Sequence, residues 1–356
     1  MGAILREAAR SIATGTARTL TFAIALGLTT LSLLAADLGS ARQLAEEAVR
    51  FTESGASVLT VTAVGRINAA GCESLGEIPG VRAAGALRTA DGNVSLGALP
   101  RSPLPLREVS PGFPAILRAD TVVAPGVILS RDASDLLALS LDDVISTTAG
   151  TARVAGVFEY PDDGRRPGFG YMALEVTADD RPFDECWVDA WPTLPELAAI
   201  LLTTVGPPGG SSQDEQPVLS QLNTSLGRTF EGEARFAQRP TAWAAPVAAV
   251  AAFVLAFVSV RIRRMQIASA LHAGVSRRAM YAMLGLETVS WSLPVMVWSV
   301  ALIAMFTAAA EPGDRSALLL LGARVAVPAQ LGVLAGAAVA AGMIRERHLF
   351  AYFKDR

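Results

Sequence analysis

The 356-residue chain contains one lysine, Lys354, two histidines, His272 and His348, and two cysteines, Cys72 and Cys186. No GxxxxGK[ST] phosphate loop exists around that lone lysine, so the chain is not itself a Walker-type ATPase. The shortage of histidine and cysteine removes most metal sites and most nucleophile–histidine hydrolases. Charge is also sparse, at 18% of residues against 51% hydrophobic, and the mean hydropathy is +0.40. That balance is too apolar for an ordinary soluble protein and points to bilayer-embedded segments. A net charge of −3 gives no footprint for nucleic acid.

Four apolar runs supply candidate spans. Residues 20–36 carry no charge and follow Arg6, Arg10 and Arg18, which reads as a first membrane helix behind a basic, amphipathic cytoplasmic segment, residues 1–19. A cleaved signal peptide shares those features, but Leu33 and Leu34 fall where a cut after Ala35 or Ala36 needs small residues, so the helix is expected to be retained. Residues 242–260 form the second run, ending against Arg261, Arg263 and Arg264. Residues 283–306 form the third, interrupted only by Glu287, and residues 325–344 the fourth, bounded by Arg324, Arg345 and Arg347. Pro312 and Gly313 mark a turn within an outer loop, 307–324. The segments 1–19, 261–282 and 345–356 together hold 12 basic and 3 acidic residues, whereas 39–240 holds 16 basic and 26 acidic. The short basic segments belong on the cytoplasmic side by the positive-inside rule. The predicted fold class is therefore a membrane protein of four transmembrane α-helices, with a large α+β extracytoplasmic domain, residues 37–240, inserted between the first and second. Both termini, including the tail 345–356, are expected in the cytoplasm.

Within the inserted domain, 39–51 has helical spacing and should continue the first span as a stalk. Residues 57–64 are rich in β-branched side chains and read as a strand. Residues 71–88 predict a short helix, a turn at Pro79-Gly80 and a second strand; 122–147 predict strand, helix and strand; and 151–160 pairs back on the last of these. Residues 100–114 read as proline-rich connections and 207–217 as a flexible loop. Residues 194–203 and 218–236 predict helices, the latter a second stalk. Cys72 and Cys186 are either a disulfide or two buried thiols; a bridge closing about 115 residues would contribute on the order of 4–5 kcal/mol. The adjacent acids Asp142-Asp143, Asp162-Asp163, Asp179-Asp180 and Asp184-Glu185 suggest solvated turns rather than catalytic dyads, and Trp187 and Trp191 suggest packing.

Residues 261–280 place Ile262, Met265, Ile267, Ala268 and Leu271 at helical spacing between arginines, the pattern of a short amphipathic helix that meets either lipid headgroups or a partner. Glu287 is either an interhelical hydrogen-bond partner or an interfacial acid. Gly332, Gly336 and Ala340 form a small-residue stripe suited to close helix contact, within the chain or between copies. Pro294 and Pro328 can kink the third and fourth spans.

Gln266-Ile267, Gly274-Val275-Ser276-Arg277-Arg278 and Glu287, the strand–helix–strand segment 126–160, and the layout of one span, a large domain and three spans resemble the FtsX-like permease family of ABC transporters, which includes macrolide exporters and lipoprotein-releasing complexes. The sequence departs from that family's pattern at Gln266, where the family has glutamate, and at His272-Ala273, where it has Ala-Leu. The resemblance implies that Arg263, Arg264, Ile267, Leu271, Gly274, Ser276, Arg277 and Arg278 couple the loop 261–282 to a separate cytoplasmic ABC ATPase subunit. It also implies a second permease copy or paralogue in the bilayer, mechanotransmission to the outer domain, and no catalytic residue, cofactor or metal in this chain. The alternative is a membrane-anchored regulator or binding protein acting on an outer-face partner, such as a cell-wall hydrolase, without transport.

Overall fold

The computed structural model describes residues 18–96, 99–122, 125–147, 150–207 and 216–345. The expected amphipathic segment before residue 18, most of the expected flexible loop (208–215) and the tail from residue 346 lie outside the described residues. The chain divides into two units, Met1–Glu46 with Gly232–Arg356, and Glu47–Glu231. Helices longer than eight residues are α1 (Thr19–Glu53), α2 (Ala244–Ile262), α3 (Arg264–His272), α4 (Arg277–Ala308) and α5 (Arg315–Met343).

In the helical unit, α1, α2 with its 3₁₀ lead-in, α4 and α5 are each long and apolar enough to cross a bilayer. The 35 residues of α1 span roughly 52 Å, against about 30 Å of hydrocarbon, so the helix is longer than a single crossing needs. Helix ends differ from the apolar runs. Ser276 accepts a hydrogen bond from the Ala279 amide and starts α4 six residues before its run. Helix α5 begins at Arg315, so 315–324, expected as loop, is helical; Leu318, Leu321 and Gly322 are buried along it.

The tightest seam lies between α2 and α5. Ala248, Ala252 and Ala256 are fully buried along one face of α2. Opposite them, a Cβ on Gly332 or Gly336 would fall inside van der Waals contact with the carbonyl oxygens of Ala249 and Phe253, and Ala340 is fully buried. The stripe thus packs against α2 of the same chain. Close backbone approach is how apolar helices associate in lipid, where burial alone supplies little driving force.

The α/β unit carries twelve strands: β1 (Val58–Ile67), β2 (Val81–Thr89), β3 (Val94–Leu96), β4 (Leu99–Leu104), β5 (Leu106–Val109), β6 (Asp120–Thr121), β7 (Val127–Ser130), β8 (Val144–Thr147), β9 (Gly150–Phe158), β10 (Ala173–Val176), β11 (Phe183–Ala190) and β12 (Val218–Gln221). Their order is 12-1-11-2-5-10-7-9-8-3-4, with β6 beside β9. Pairing is antiparallel except for β5 with β10 and β7 with β9. The expected hairpin forms, with Thr147 opposite Gly150 between β8 and β9. Strands β4 and β5 and the start of the short helix Phe113–Ile116 occupy the expected proline-rich connection. The expected second stalk does not form: Val218–Gln221 adds to the edge of β1, and helix returns only at Gly232–Ala237. Four residues of strand gain from an open edge what their own periodicity does not reveal, including the 2.7 Å contact between the Thr60 and Ser220 hydroxyls.

Trp187 on β11 is fully buried, its ring centroid 5.1 Å from those of Phe113 and Phe169. Cys186, beside it, is bonded to Cys72 of the helix Ala69–Ser74, with the Cα atoms 5.8 Å apart. Both cysteines are fully buried.

Two tests follow from this packing. Replacing both cysteines with serine should lower stability by about 4–5 kcal/mol, read as an earlier thermal transition of the detergent-solubilised chain; an unmoved transition would show that the bridge constrains nothing. Gly336→Ala should cost about 1–3 kcal/mol through overpacking, and Gly336→Leu should disrupt the α2–α5 seam, seen as loss of a crosslink between cysteines placed on the two helices.

Candidate functional site: the α3–α4 turn and the buried charges of the bundle

Helix α3 closes with two reverse hydrogen bonds. The Val275 amide donates to the Ala270 carbonyl at 3.1 Å, and the Gly274 amide donates to the Leu271 carbonyl at 3.1 Å. Gly274 adopts φ +90°, the left-handed conformation that this cap requires and that a side chain would strain. Two residues later Ser276 caps α4. The turn is therefore defined at both ends by its own backbone chemistry. Residues 272–278 are all exposed. Val275, 43% exposed, stands between His272 and the Arg277-Arg278 pair.

The apolar face of α3 points the other way. Ile267, Ala268 and Leu271 are buried in the bundle core, grouped with residues such as Met280 and Leu284. Of the residues expected to meet a partner, Ile267 and Leu271 hold α3 to the bundle, whereas Gly274, Ser276, Arg277 and Arg278 are exposed on the turn. Ile262, assigned to the same apolar pattern, is 53% exposed.

Arg263 is the joint between α2 and α3, with non-helical backbone at φ −97°. Its Nη1 donates to Glu287 Oε2 on α4 at 2.5 Å, and its Nε donates to Gln266 Oε1 at 3.3 Å. The side chains of Arg263 and Glu287 are 13% and 5% exposed. Glu287 is thus an interhelical partner rather than an interfacial acid, and its Oε1 is buried with no hydrogen-bond partner among the described residues. Along the same helix Thr288, Ser292 and Ser299 are buried, and Ser292 Oγ accepts from Gln330 of α5 at 3.0 Å.

Past the opposite end of α2 lies a second pair, which the sequence reading missed. Arg239 Nε donates to Asp37 Oδ1 of α1 at 3.0 Å, with side chains 8% and 3% exposed. Arg239 also donates from Nη1 to the Phe236 carbonyl at 2.7 Å and lies 3.7 Å from the Phe236 ring centroid. Beside this pair the Ser40 and Thr241 hydroxyls are 2.8 Å apart. The available signal was two opposite charges, one closing the first apolar run and one opening the second; separation by 202 residues hid their pairing.

In the α/β unit the end of α1 is capped by arginines from elsewhere. Arg165 Nη2 donates to the Glu53 carbonyl at 2.5 Å, and Arg118 Nη2 donates to the Thr52 carbonyl at 3.3 Å. Cations there satisfy orphan carbonyls and the negative end of the helix dipole. Both arginines line an open cavity of about 700 Å³, together with Arg50, Arg131, Asp120 and Glu159. Elsewhere Arg88, 6% exposed, binds Glu108 and Asp179 and lies 4.5 Å from the Phe183 ring centroid. Hydrogen bonds from Arg88, then Arg181, hold the Asp179 carboxyl well below the usual carboxylate range. Burial pushes the Tyr160 hydroxyl up to about 12; it donates to the Arg166 carbonyl at 2.5 Å. The adjacent acids are engaged structurally: Asp142 with Arg153, Asp163 with Arg165, Asp184 with the Gly65 and Thr89 amides, and Glu185 with Arg166 and the Trp187 indole. Among the described residues no group of three or more His, Cys, Asp or Glu side chains is placed to hold a metal ion.

Arg263→Met should strand a buried carboxylate on α4 and cost about 3–5 kcal/mol, while Arg263→Met with Glu287→Met should recover most of the loss. Thermal unfolding of both variants in one detergent checks this, and equal stability of the single variant and the parent would contradict the buried pairing.

No protein-family model matches the chain, and no curated protein matches its sequence. Among solved structures, the periplasmic region of MacB from Actinobacillus actinomycetemcomitans is similar at 9% identity, over 42% of this chain and 81% of that one, with a TM-score of 0.31. The extracellular domain of the noncanonic ABC-type transporter YknZ from Gram-positive bacteria is similar at 10% identity, over 40% of this chain and 88% of that one, with a TM-score of 0.28.

Proposed function

We propose that this chain is a permease-type membrane subunit, driven by a separate cytoplasmic ABC ATPase, that moves its α/β domain on the far side of the bilayer. The single observation that carries the reading is the exposed, doubly capped turn at 272–278, which coincides with the residues that resemble the coupling loop of FtsX-like permeases. The turn presents an apolar knob, Val275, with His272, Arg277 and Arg278 around it, suited to a groove with an acidic rim. Its helix α3 is packed into the bundle through Ile267 and Leu271, so force on the turn enters the spans without passing through a flexible loop. Basic residues of the α2–α4 connection favour the cytoplasmic side for this turn. The Cys72–Cys186 bridge favours an oxidising compartment for the α/β domain. Four helices form half of a symmetric pathway, and a second permease copy or paralogue completes it.

Affinity purification of the tagged full chain from solubilised membranes tests the reading. A Walker-motif ATPase should co-purify and should be lost from the Val275→Asp and Arg277→Glu/Arg278→Glu chains, which keep the bundle core intact. Leu271→Asp is not a suitable probe, because that side chain is buried in the bundle. Recovery of partners of the α/β domain alone, with no nucleotide-binding subunit, would instead support the membrane-anchored regulator.

A further inference from the structure

Helix α2 has no helical continuation into the α/β domain. Before it, Arg239 is extended at ψ 140° and Pro240 opens only a 3₁₀ turn, which breaks the helical path. Helix α1, in contrast, is unbroken from Thr19 to Glu53. A rigid route from α2 to the stalk must therefore cross sideways to α1. The residues that make the crossing are Asp37 with Arg239 and Ser40 with Thr241. Arg239 is fixed by more than its carboxylate, through the Phe236 carbonyl and ring, while its Nη2 is buried without a hydrogen-bond partner among the described residues. A charge pair held at that incomplete satisfaction in an apolar bundle calls for a function.

Stiffness is distributed to match. Proline lies inside α4 at Pro294 and inside α5 at Pro328, where each removes a helical hydrogen bond, whereas α1 contains none and the only proline of α2, Pro246, lies in its first turn, where it is tolerated. The far end of α1 is gripped by Arg118 and Arg165 on its last carbonyls, and by Phe51, with ring centroids 6.0 Å from Trp191 and 5.7 Å from Phe230. We propose that α1 and α2 act as one rigid lever within the helical unit, joined by the buried Asp37–Arg239 pair, so that displacement of α2 is displacement of α1 as well. The source of the displacement rests on the permease reading above; the joint itself does not.

The full chain in lipid nanodiscs, spin-labelled at Gln43→Cys and Val247→Cys, tests the joint by pulsed electron resonance. Both positions are exposed, and the native cysteines are bonded to each other and take no label. The parent should show one narrow distance, Asp37→Asn and Arg239→Gln should each lose it, and Asp37→Glu should retain it. Unchanged distributions in both neutral variants would overturn the lever. A second measurement leaves the ion pair intact: a disulfide between Ser40→Cys and Thr241→Cys should leave ATP-driven movement of the stalk at its parental amplitude, because the lever never opens there. Loss of that movement on crosslinking would show a joint that opens, and would also overturn it. If no ATPase co-purifies, the permease reading fails while the label distances still decide the joint.

Discussion

An arginine inside an apolar bundle is tolerated only where a carboxylate and further acceptors receive it, and both arginines that bracket α2 are held in this way. Arg239 meets Asp37 before the helix begins, and Arg263 meets Glu287 after it ends. Each pair joins α2 to a different neighbour, α1 in one case and α4 in the other. Removing a single partner leaves an uncompensated buried charge, so each pair strongly opposes separation whatever its net contribution to stability. The position of α2 is thereby set at both ends by electrostatics and along its length by the close seam with α5.

The two kinds of contact do different work. Against α5, α2 presents alanines to glycines, and backbone approaches backbone; such a surface is smooth and excludes any larger side chain. Helix α1 meets α4 through bulk, with the Phe22 ring centroid 6.0 Å from that of Trp291. In a bundle built this way α5 is close-packed on α2, backbone to backbone, while α1 is attached by a few large and charged side chains. That asymmetry leaves the attachment of α1 to α2 dependent on a local polar joint.

The four apolar runs were legible because each is uncharged over a bilayer's depth or nearly so. Their ends were not, because an N-cap serine or a buried leucine in a charged first turn leaves little trace in hydropathy. The strand at Val218–Gln221 was read as helix because four residues carry no decisive period, and the edge of β1 decided between the two. The apolar stripe expected from Ile262 to Leu271 holds on α3 for Ile267, Ala268 and Leu271, while Ile262 ends α2 and is exposed; Ile267 and Leu271 give the same pattern whether lipid, partner or bundle covers them. Glu287 was flagged as an intramembrane acid, yet its partner Arg263 read as one more arginine of the basic flank. The Asp37–Arg239 pair fell in the boundaries between segments, where charge counting assigns each residue to a side and not to a contact.

Arg277 and Arg278 run against the local physics of α4. They occupy its first turn, where the aligned peptide dipoles place positive potential, and a cation there is unfavourable by a few tenths of a kcal/mol to about 1 kcal/mol at an exposed site. Gly274, Val275 and Ser276 complete the caps of the turn without them. Exposure of both side chains means that their charge is expressed outward. Neither arginine is therefore placed by the needs of the α3–α4 turn itself. The same argument separates them from Arg239 and Arg263, whose charge is consumed inside the bundle and whose role is to fix one helix against another.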